Sequence, residues 1–302
     1  MNGSAALLRT ERLSVLALFV GAVVTAFAPI LVRLSEVGPS PTAFYRFLLA
    51  LPVYWALALV VPGDARRVAR DKPAGPTVYL LMALAGACFA GDMAAWHYSI
   101  HMTSVANATL LLNVTPAFVV LGGWLLFRTR VTGTFMVGLV TAMAGIGALS
   151  GASLALSRTR FVGDLLGLLT ALFYAGYQLT VERLRQRFST LTIMIHAMPV
   201  CVMLTLGVAL LSGEAMAVTT PAGWAVLVAL AVGPQVLGQS LIAWALAHLP
   251  ASFVSVSLLM QPIVAATAAW LLFDERLGTQ QALGAVAVLG GIVVARRGTV
   301  RR

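Results

Sequence analysis

The sequence predicts an all-α membrane protein with ten transmembrane helices, arranged as two inverted five-helix repeats with both termini in the cytoplasm. Three observations predict this fold: composition, the distribution of basic residues, and an internal repeat. The 302 residues are 60% hydrophobic and 10% charged, with a mean hydropathy of +0.94. A soluble domain is roughly half apolar and a quarter charged. A lipid bilayer can accommodate the excess, because each helical span takes about 20 apolar residues.

Ten apolar runs alternate with turn residues and charged clusters. They are too long for the strands of a membrane barrel and show no period of two, so they predict helices. The first run is longer than the core of a signal peptide and lacks a convincing cleavage site, which predicts a retained helix. The predicted spans are residues 13–34, 41–61, 77–98, 104–127, 132–152, 161–182, 190–212, 222–247, 251–273 and 279–296.

The basic residues predict the orientation. With a cytoplasmic N-terminus, fifteen Lys and Arg fall on the cytoplasmic side and four on the other, namely Arg33, Arg158, Arg160 and Arg276. This bias follows the positive-inside rule and predicts that both termini are cytoplasmic. We expect a multi-pass protein of the bacterial inner (plasma) membrane. The net charge of +10 lies in short clusters between apolar runs. The predicted partner is therefore the lipid bilayer, and no nucleic acid is expected.

The second half of the chain repeats part of the first. A shift of 146 residues places Pro116 on Pro262 and the block Trp-Leu-Leu-Phe at 124–127 on the same block at 270–273. Gly138 falls on Gly284, and Gly145 on Gly291. We predict two repeats, residues 13–152 and 161–297. A repeat of five helices must cross the membrane in opposite senses, as in many secondary transporters whose solute site lies near the midplane.

These features resemble the EamA-type permeases of the drug/metabolite transporter superfamily. The resemblance implies a secondary transporter of small organic metabolites, with amino acids prominent. The family places an acidic residue after the Trp-Leu-Leu-Phe block. The second copy has this residue as Glu275, but the first copy departs from the pattern, because Arg128 follows its block. The residues that carry the resemblance are Asn113, Pro116, Phe44-Tyr45-Arg46-Phe47, Gln261-Pro262, Phe273-Asp274-Glu275-Arg276-Leu277, Gly284 and Gly290-Gly291.

A substrate is asymmetric, so its site should use polar residues that the two repeats do not share. Asp92 is, on this reading, the only carboxylate well inside a span, and its insertion costs about 2.5–3.5 kcal/mol. It predicts either a structural bond to another helix or a role in amine binding or proton coupling. The remaining candidates bind substrate or bond neighbouring helices, and for the histidines the alternative is a side chain at the membrane interface. The substrate-binding candidates are Asp92, Trp96, His97, Asn113, Tyr174, Tyr177, Gln178, Gln235, Gln239, Ser257 and Gln261.

Three prolines are candidate hinges. Pro116 and Pro262 interrupt the backbone ladder of spans four and nine, which predicts either static kinks or a symmetric pair of hinges for alternating access. Pro234 follows Gly233 in the middle of span eight, where a broken helix could free carbonyls for solute. The repeated glycines predict close helix packing. Arg46 has three interpretations: it snorkels outward, pairs with Glu36, or binds a substrate carboxylate.

The sequence lacks the motifs of ATP hydrolysis, metal binding and hydrolytic catalysis. The sequence contains no P-loop, no cluster at metal-ligand spacing, and neither a nucleophile elbow nor paired carboxylates. We therefore predict no enzyme, no catalytic residue, no metal and no cofactor. Amides and aromatic rings favour a small neutral or zwitterionic substrate, so the leading prediction is export of neutral or aromatic amino acids. Sugars, nucleosides or drug-like cations are the alternative, and an intramembrane enzyme or lipid flippase is a different class. The sequence is compatible with a monomer.

Overall fold

The computed structural model describes residues 2–60, 73–102, 110–150, 158–273 and 279–299, and it has no β-strand in these ranges. The all-α prediction is confirmed. We number the helices in chain order: α1 Asn2–Ala26, α2 Ala28–Arg33, α3 Pro39–Val60, α4 Pro76–Met102, α5 Thr115–Phe127, α6 Gly133–Ser150, α7 Arg158–Arg185, α8 Thr190–Ser212, α9 Pro221–Leu230, the π-helix Ala231–Gly238, α10 Gln239–Ala245, α11 Ala251–Leu258, α12 Gln261–Phe273 and α13 Thr279–Arg297.

Eight helices of the described ranges are long and apolar enough to cross a membrane. Two shorter apolar helices, Gly133–Ala148 and Ala251–Ala265, lie in predicted spans five and nine. The total of ten spans, their inverted arrangement and the side of the termini stay predictions. The first span differs from its prediction, because its helix starts at Asn2 and breaks at Phe27. Pro29 has no N–H to donate and therefore begins a new helix, α2.

Large apolar side chains cover the outer faces of these helices. Leu59 is 81% exposed and Leu211 is 87% exposed. In the most apolar 18-residue stretch of each candidate span, only 22–50% of the residues are buried within the protein. Exposed apolar surface on this scale is unfavourable in water but matches the hydrocarbon of a bilayer.

The chain folds into two compact units. Unit 1 comprises Met1–Ala90 and Thr180–Pro250, and unit 2 comprises Gly91–Leu179 and Ala251–Arg302. Each unit therefore takes helices from both predicted repeats, and two of the three boundaries fall inside α4 and α7. The spatial units and the sequence repeats are different divisions of the chain.

Unit 1 is built around the eighth predicted span. Helix α1 packs against the π-helix and α10, while α3 packs against α8 and the π-helix. The contact with α1 is close because Gly21 has no side chain: a Cβ there would lie 2.8 Å from the carbonyl oxygen of Gly238. Phe47 on α3 and Phe89 on α4 meet edge to face with ring centroids 5.1 Å apart. The packing of α1 and α3 holds the π-helix between these two helices, and the Phe47–Phe89 contact joins α3 to α4.

Unit 2 is built around the pair formed by α6 and α13. A Cβ on Gly138 would lie 2.6 Å from the carbonyl oxygen of Gly291, and one on Gly145 would lie 2.7 Å from that of Gly284. Real Cβ atoms do not approach backbone this closely, so each position requires glycine for this packing. The prediction that the repeated glycines bring helix backbones together is confirmed.

The proline positions of spans four and nine break their helices in the same way. The chain turns at residues 113–114 before α5 and at 259–260 between α11 and α12. In the first break Val114 N–H donates to the carbonyl of Leu111 at 3.1 Å, and in the second Met260 N–H donates to that of Ser257 at 3.1 Å. These two bonds are related by the 146-residue shift. Pro116 and Pro262 therefore lie at the start of a new helix segment in both copies.

Candidate functional site

An arginine is buried inside unit 1. Arg46, on α3, is 6% exposed, and its Nε–H donates to Oε1 of Gln235 at 2.9 Å. The side chain therefore points inward, and the snorkelling interpretation is wrong. Glu36, the partner in the second interpretation, accepts hydrogen bonds from Thr219 and Thr220 in a loop. Binding of a substrate carboxylate, the third interpretation, stays a prediction.

Gln235 lies in the π-helix. An α-helix cannot contain Pro234 without distortion, because proline lacks an N–H and its ring clashes with the carbonyl four residues earlier. The wider turn from Ala231 to Gly238 accommodates the ring, and the span remains helical. The expected break at Gly233–Pro234 is therefore wrong in form, since the helix is widened and not interrupted. Such π-turns occur frequently at functional sites.

A hydrogen-bond network surrounds this π-helix. The Tyr54 hydroxyl donates to the backbone carbonyl of Gln235 at 2.9 Å and lies 3.2 Å from Oγ of Ser240. Nε2 of Gln235 lies 3.7 Å from Sδ of Met198, a weak contact. Gln235 is thus bonded through both its side chain and its backbone. Oε1 of Gln239, one turn further on, is buried and has no hydrogen-bond partner in the described part of the chain.

A second polar group lies in unit 2. Asp92 and Trp96 are four residues apart on α4, and Asp92 is only 2% exposed. On α7 the rings of Tyr174 and Tyr177 are stacked, with centroids 6.0 Å apart and planes inclined by 11°. Unit 2 therefore contains a buried carboxylate on one helix and a pair of nearly parallel aromatic rings, of which Tyr177 is buried and Tyr174 half-buried, on another.

Gln178, also on α7, is fully buried. Neither its amide nitrogen nor its amide oxygen has a hydrogen-bond partner among the described residues. Leaving a buried polar group unbonded costs about 1–3 kcal/mol. Native proteins seldom retain such a group unless water, an ion or a ligand satisfies it.

The remaining candidates lie at the helix breaks of unit 2 or outside the described side chains. Asn113 is in the turn before α5, and Gln261 is the first residue of α12. Ser257 is buried, but its hydroxyl donates to the carbonyl of Phe253 at 2.8 Å, within its own helix. His97 is on α4, and its side chain is outside the described part, as is that of His101. Glu275 lies outside the described residues altogether.

Comparison with known proteins decides the family. The model of the EamA-like transporter family matches residues 12–151 and 161–297. The chain belongs to the EamA-like transporter family. The resemblance inferred from the motifs is therefore confirmed, and the chain is a multi-pass membrane transporter.

Two relatives agree with this membership. The EamA-like chain is 26% identical over 270 residues to a protein of Archaeoglobus fulgidus described as an uncharacterized transporter, covering 88% of this chain and 91% of that protein. A crystal structure that is 19% identical has a TM-score of 0.76 and covers 94% of this chain and 98% of its own. That likeness shows the fold. The family and the relative's description indicate a transporter and not an enzyme.

Two buried residues, Tyr54 and Glu182, and the half-buried Ser240 were not among the predicted site residues of this EamA-like protein. Tyr54 lies two helical turns after Arg46, so helical spacing already placed both on one face of α3. Ser240 directly follows Gln239. Glu182 is 4% exposed and lies four residues after Gln178 on α7, which ends at Arg185, beyond the predicted end of that span. Glu182 is the last residue of predicted span six and lies three residues before the end of α7, so it is a buried carboxylate near the end of a span and not well inside one.

Proposed function

We propose that this EamA-like protein is a secondary transporter that moves small organic metabolites across the inner membrane by alternating access. Its proposed role is the export of neutral or aromatic amino acids. The proposed substrate-binding residues are Gln235 and Gln239 in unit 1, and Asp92, Trp96, His97, Asn113, Tyr174, Tyr177, Gln178, Ser257 and Gln261 in unit 2.

The observation that carries the proposal is the unsatisfied amide of Gln178. A membrane helix that places a carboxamide with one acceptor and two donors in the protein interior leaves a site for a polar solute. Tyr174 and Tyr177 add flat apolar surface beside polar hydroxyls, which suits an aromatic or small neutral side chain. The carboxylate of Asp92 suits an ion pair with the amino group of an amino acid substrate.

The proposed arrangement is ten spans in two antiparallel repeats with both termini in the cytoplasm. The strong positive-inside bias supports the orientation. The matching helix breaks at residues 113–114 and 259–260 support hinges at Pro116 and Pro262. Pro234 and the π-helix are proposed as a third flexible point, because the wide turn weakens the regular ladder.

A counterflow assay tests the substrate class. Purified protein is reconstituted into liposomes loaded with one unlabelled compound, and uptake of the labelled compound is followed. We expect counterflow for neutral or aromatic amino acids. Counterflow confined to sugars, nucleosides or organic cations would replace this substrate class with the alternative, and lipid scrambling without solute flux would indicate a flippase.

Replacing Gln178 with leucine separates solute binding from stability. We expect counterflow at low substrate concentration to fall roughly tenfold or more, because a ligand loses one or two hydrogen bonds. Thermal stability should be unchanged or higher, since an apolar side chain replaces an unsatisfied buried amide. Gln280→Leu, an exposed position on α13, is the matched control. A variant that melts lower and transports normally would assign Gln178 a structural role.

Replacing Asp92 with asparagine tests proton coupling. We propose that Asp92 exchanges a proton during the cycle, so the pH dependence of wild-type transport between pH 5 and 8 should flatten in the variant. Asparagine retains the size and shape of the side chain but cannot ionise, and it replaces one acceptor oxygen of the carboxylate with a donor NH2 group. Asp164→Asn, a less buried carboxylate near the start of α7, is the control. An unchanged pH profile in Asp92→Asn would remove Asp92 from the coupling step.

A further inference from the structure

Glu36, in the turn between α2 and α3, is bonded to the N-terminal end of α9. Its carboxylate accepts hydrogen bonds from the backbone N–H of Thr219 at 3.0 Å and of Thr220 at 3.1 Å. It also accepts bonds from both threonine hydroxyls. Thr220 in turn caps α9, because its Oγ accepts the N–H of Gly223 at 2.9 Å. The carboxylate thus lies at the positive end of the α9 dipole.

Glu214, in the turn between α8 and α9, makes the converse contact. Its carboxylate accepts the backbone N–H of Ser40 at 2.9 Å and the hydroxyl of Ser40 at 3.1 Å. Ser40 is in the first turn of α3. The Tyr45 hydroxyl adds a bond to the carbonyl of Met216 at 3.0 Å. Each turn therefore inserts a carboxylate into the helix N-terminus that follows the other turn.

Glycine makes room for both carboxylates. A Cβ on Gly38 would collide with the carboxylate of Glu214, and one on Gly223 would collide with that of Glu36. The same combination of glutamate, hydroxyl side chain, helix N-terminus and glycine thus occurs twice, in opposite directions. All these residues belong to unit 1. A reciprocal arrangement resists separation of the two turns more than either contact alone, because both must open together.

We infer that Glu36 and Glu214 form a reciprocal clasp that fastens the α2–α3 turn to the α8–α9 turn. The clasp keeps this end of unit 1 closed throughout the transport cycle, so that α3, α8 and α9 move as one rigid body. The inference rests on the proposed function only in assuming such a cycle. The positive-inside bias predicts that both turns face the outside of the cell, where no cytoplasmic factor can act on the clasp.

The charge state of Glu36 agrees with a permanent fastening of its half of the clasp. Bonds from Thr219 and Thr220 lower the pKa of Glu36 to about 2. The other charged groups on these turns and on α2 and α9 are Arg33 and Glu214. Because the pKa is lowered on folding, the stabilisation is complete above the ordinary value of 4.5 and is lost only as the pH falls towards 2. Ordinary changes in external pH therefore leave Glu36 ionised and bonded to Thr219 and Thr220.

Two engineered disulfides test whether the clasp stays closed. A Cβ on Gly223 would lie 3.2 Å from Cβ of Glu36, and one on Gly38 would lie 3.1 Å from Cβ of Glu214. These separations are slightly below the usual range of about 3.5–4.5 Å, so a small relaxation suffices. The variants Glu36→Cys/Gly223→Cys and Gly38→Cys/Glu214→Cys are made in a background without Cys88 and Cys201. We expect the oxidised and reduced proteins to transport within about twofold of each other. Oxidation that stops transport, restored by a reductant, would overturn the inference.

Hydrogen exchange measured by mass spectrometry tests the clasp without transport. The amides of Ser40, Thr219 and Thr220 donate to the two carboxylates and should be protected in the wild type, with and without substrate. Glu36→Ala should accelerate exchange at the threonines, and Glu214→Ala at Ser40, whereas Asp164→Ala should change neither. Fast exchange in the wild type, or acceleration on adding substrate, would show that the clasp opens. If the reduced variants and the wild type move no solute, the proposed function fails, and the exchange data still decide whether the clasp is closed.

Discussion

Gly291→Ala is expected to destabilise the protein severely. The added Cβ would lie 2.5 Å from the backbone nitrogen of Ala142 and 2.7 Å from the carbonyl oxygen of Gly138. Backbone atoms of a packed helix cannot turn away as a flexible side chain can, so α13 must move off α6. Overpacking of this kind costs roughly 1–3 kcal/mol and sometimes more. We expect a lower melting temperature in detergent and less monodisperse protein on size exclusion.

The adjacent glycine provides a matched control. A Cβ on Gly290 would meet nothing within 4 Å. Gly290→Ala should therefore be neutral or stabilising by up to about 1 kcal/mol, because alanine favours the helix more than glycine does. The two variants carry the same substitution one residue apart, on different faces of α13. Equal melting temperatures for both would contradict the close packing of α6 and α13.

Arg46→Ala is expected to reduce transport by roughly 10- to 150-fold, since a hydrogen bond to a charged group is worth about 1.5–3 kcal/mol. The guanidinium bonds the side chain of Gln235, whose backbone carbonyl is held by Tyr54. Without it, the π-helix loses a buried bond to α3. Arg46→Lys should restore little of this activity, because an ammonium lacks the planar Nε donor. Initial rates of counterflow measure the effect.

A double-mutant cycle distinguishes this contact from a general effect of charge. Arg46→Ala and Gln235→Ala should be non-additive when combined, because each removes the same hydrogen bond. Arg33→Ala removes a basic residue at the exposed end of α2 and should leave transport near the wild-type rate. Strict additivity of the first pair would mean that the two residues act independently. A large loss in Arg33→Ala would assign the effect to charge and not to the buried bond.

Helix positions and the packing of repeated glycines could be predicted from the sequence. Hydropathy predicted residues 190–212 and 279–296, and the structure has helices Thr190–Ser212 and Thr279–Arg297. Both predictions rest on local properties: a bilayer demands a minimum apolar length, and glycine removes the side chain that would hold helices apart. The repeat added information because Gly138 and Gly291 meet across the two copies.

The partners of the buried polar residues could not be predicted in this way. Arg46 and Gln235 are 189 residues apart in sequence, and no local pattern specifies such a pair. The sequence did mark a disturbance at Pro234, but whether a helix breaks or widens depends on the helices packed around it. Ser257 is a case in which the sequence suggested a site residue that the structure does not support, because its hydroxyl donates a hydrogen bond within its own helix. Burial and polarity suggested a site residue there, but they do not reveal which group a hydroxyl faces.

The composition of the two units has a consequence for biogenesis. Unit 1 needs both Met1–Ala90 and Thr180–Pro250, and unit 2 needs both Gly91–Leu179 and Ala251–Arg302. During synthesis, the first five predicted spans therefore enter the bilayer before either unit has all its parts. Helix α3, which carries the buried Arg46, therefore lies in the membrane without its packing partner until the π-helix has been synthesised. A nascent chain stopped after residue 152 should depend on the insertion machinery or a chaperone to shield that charge.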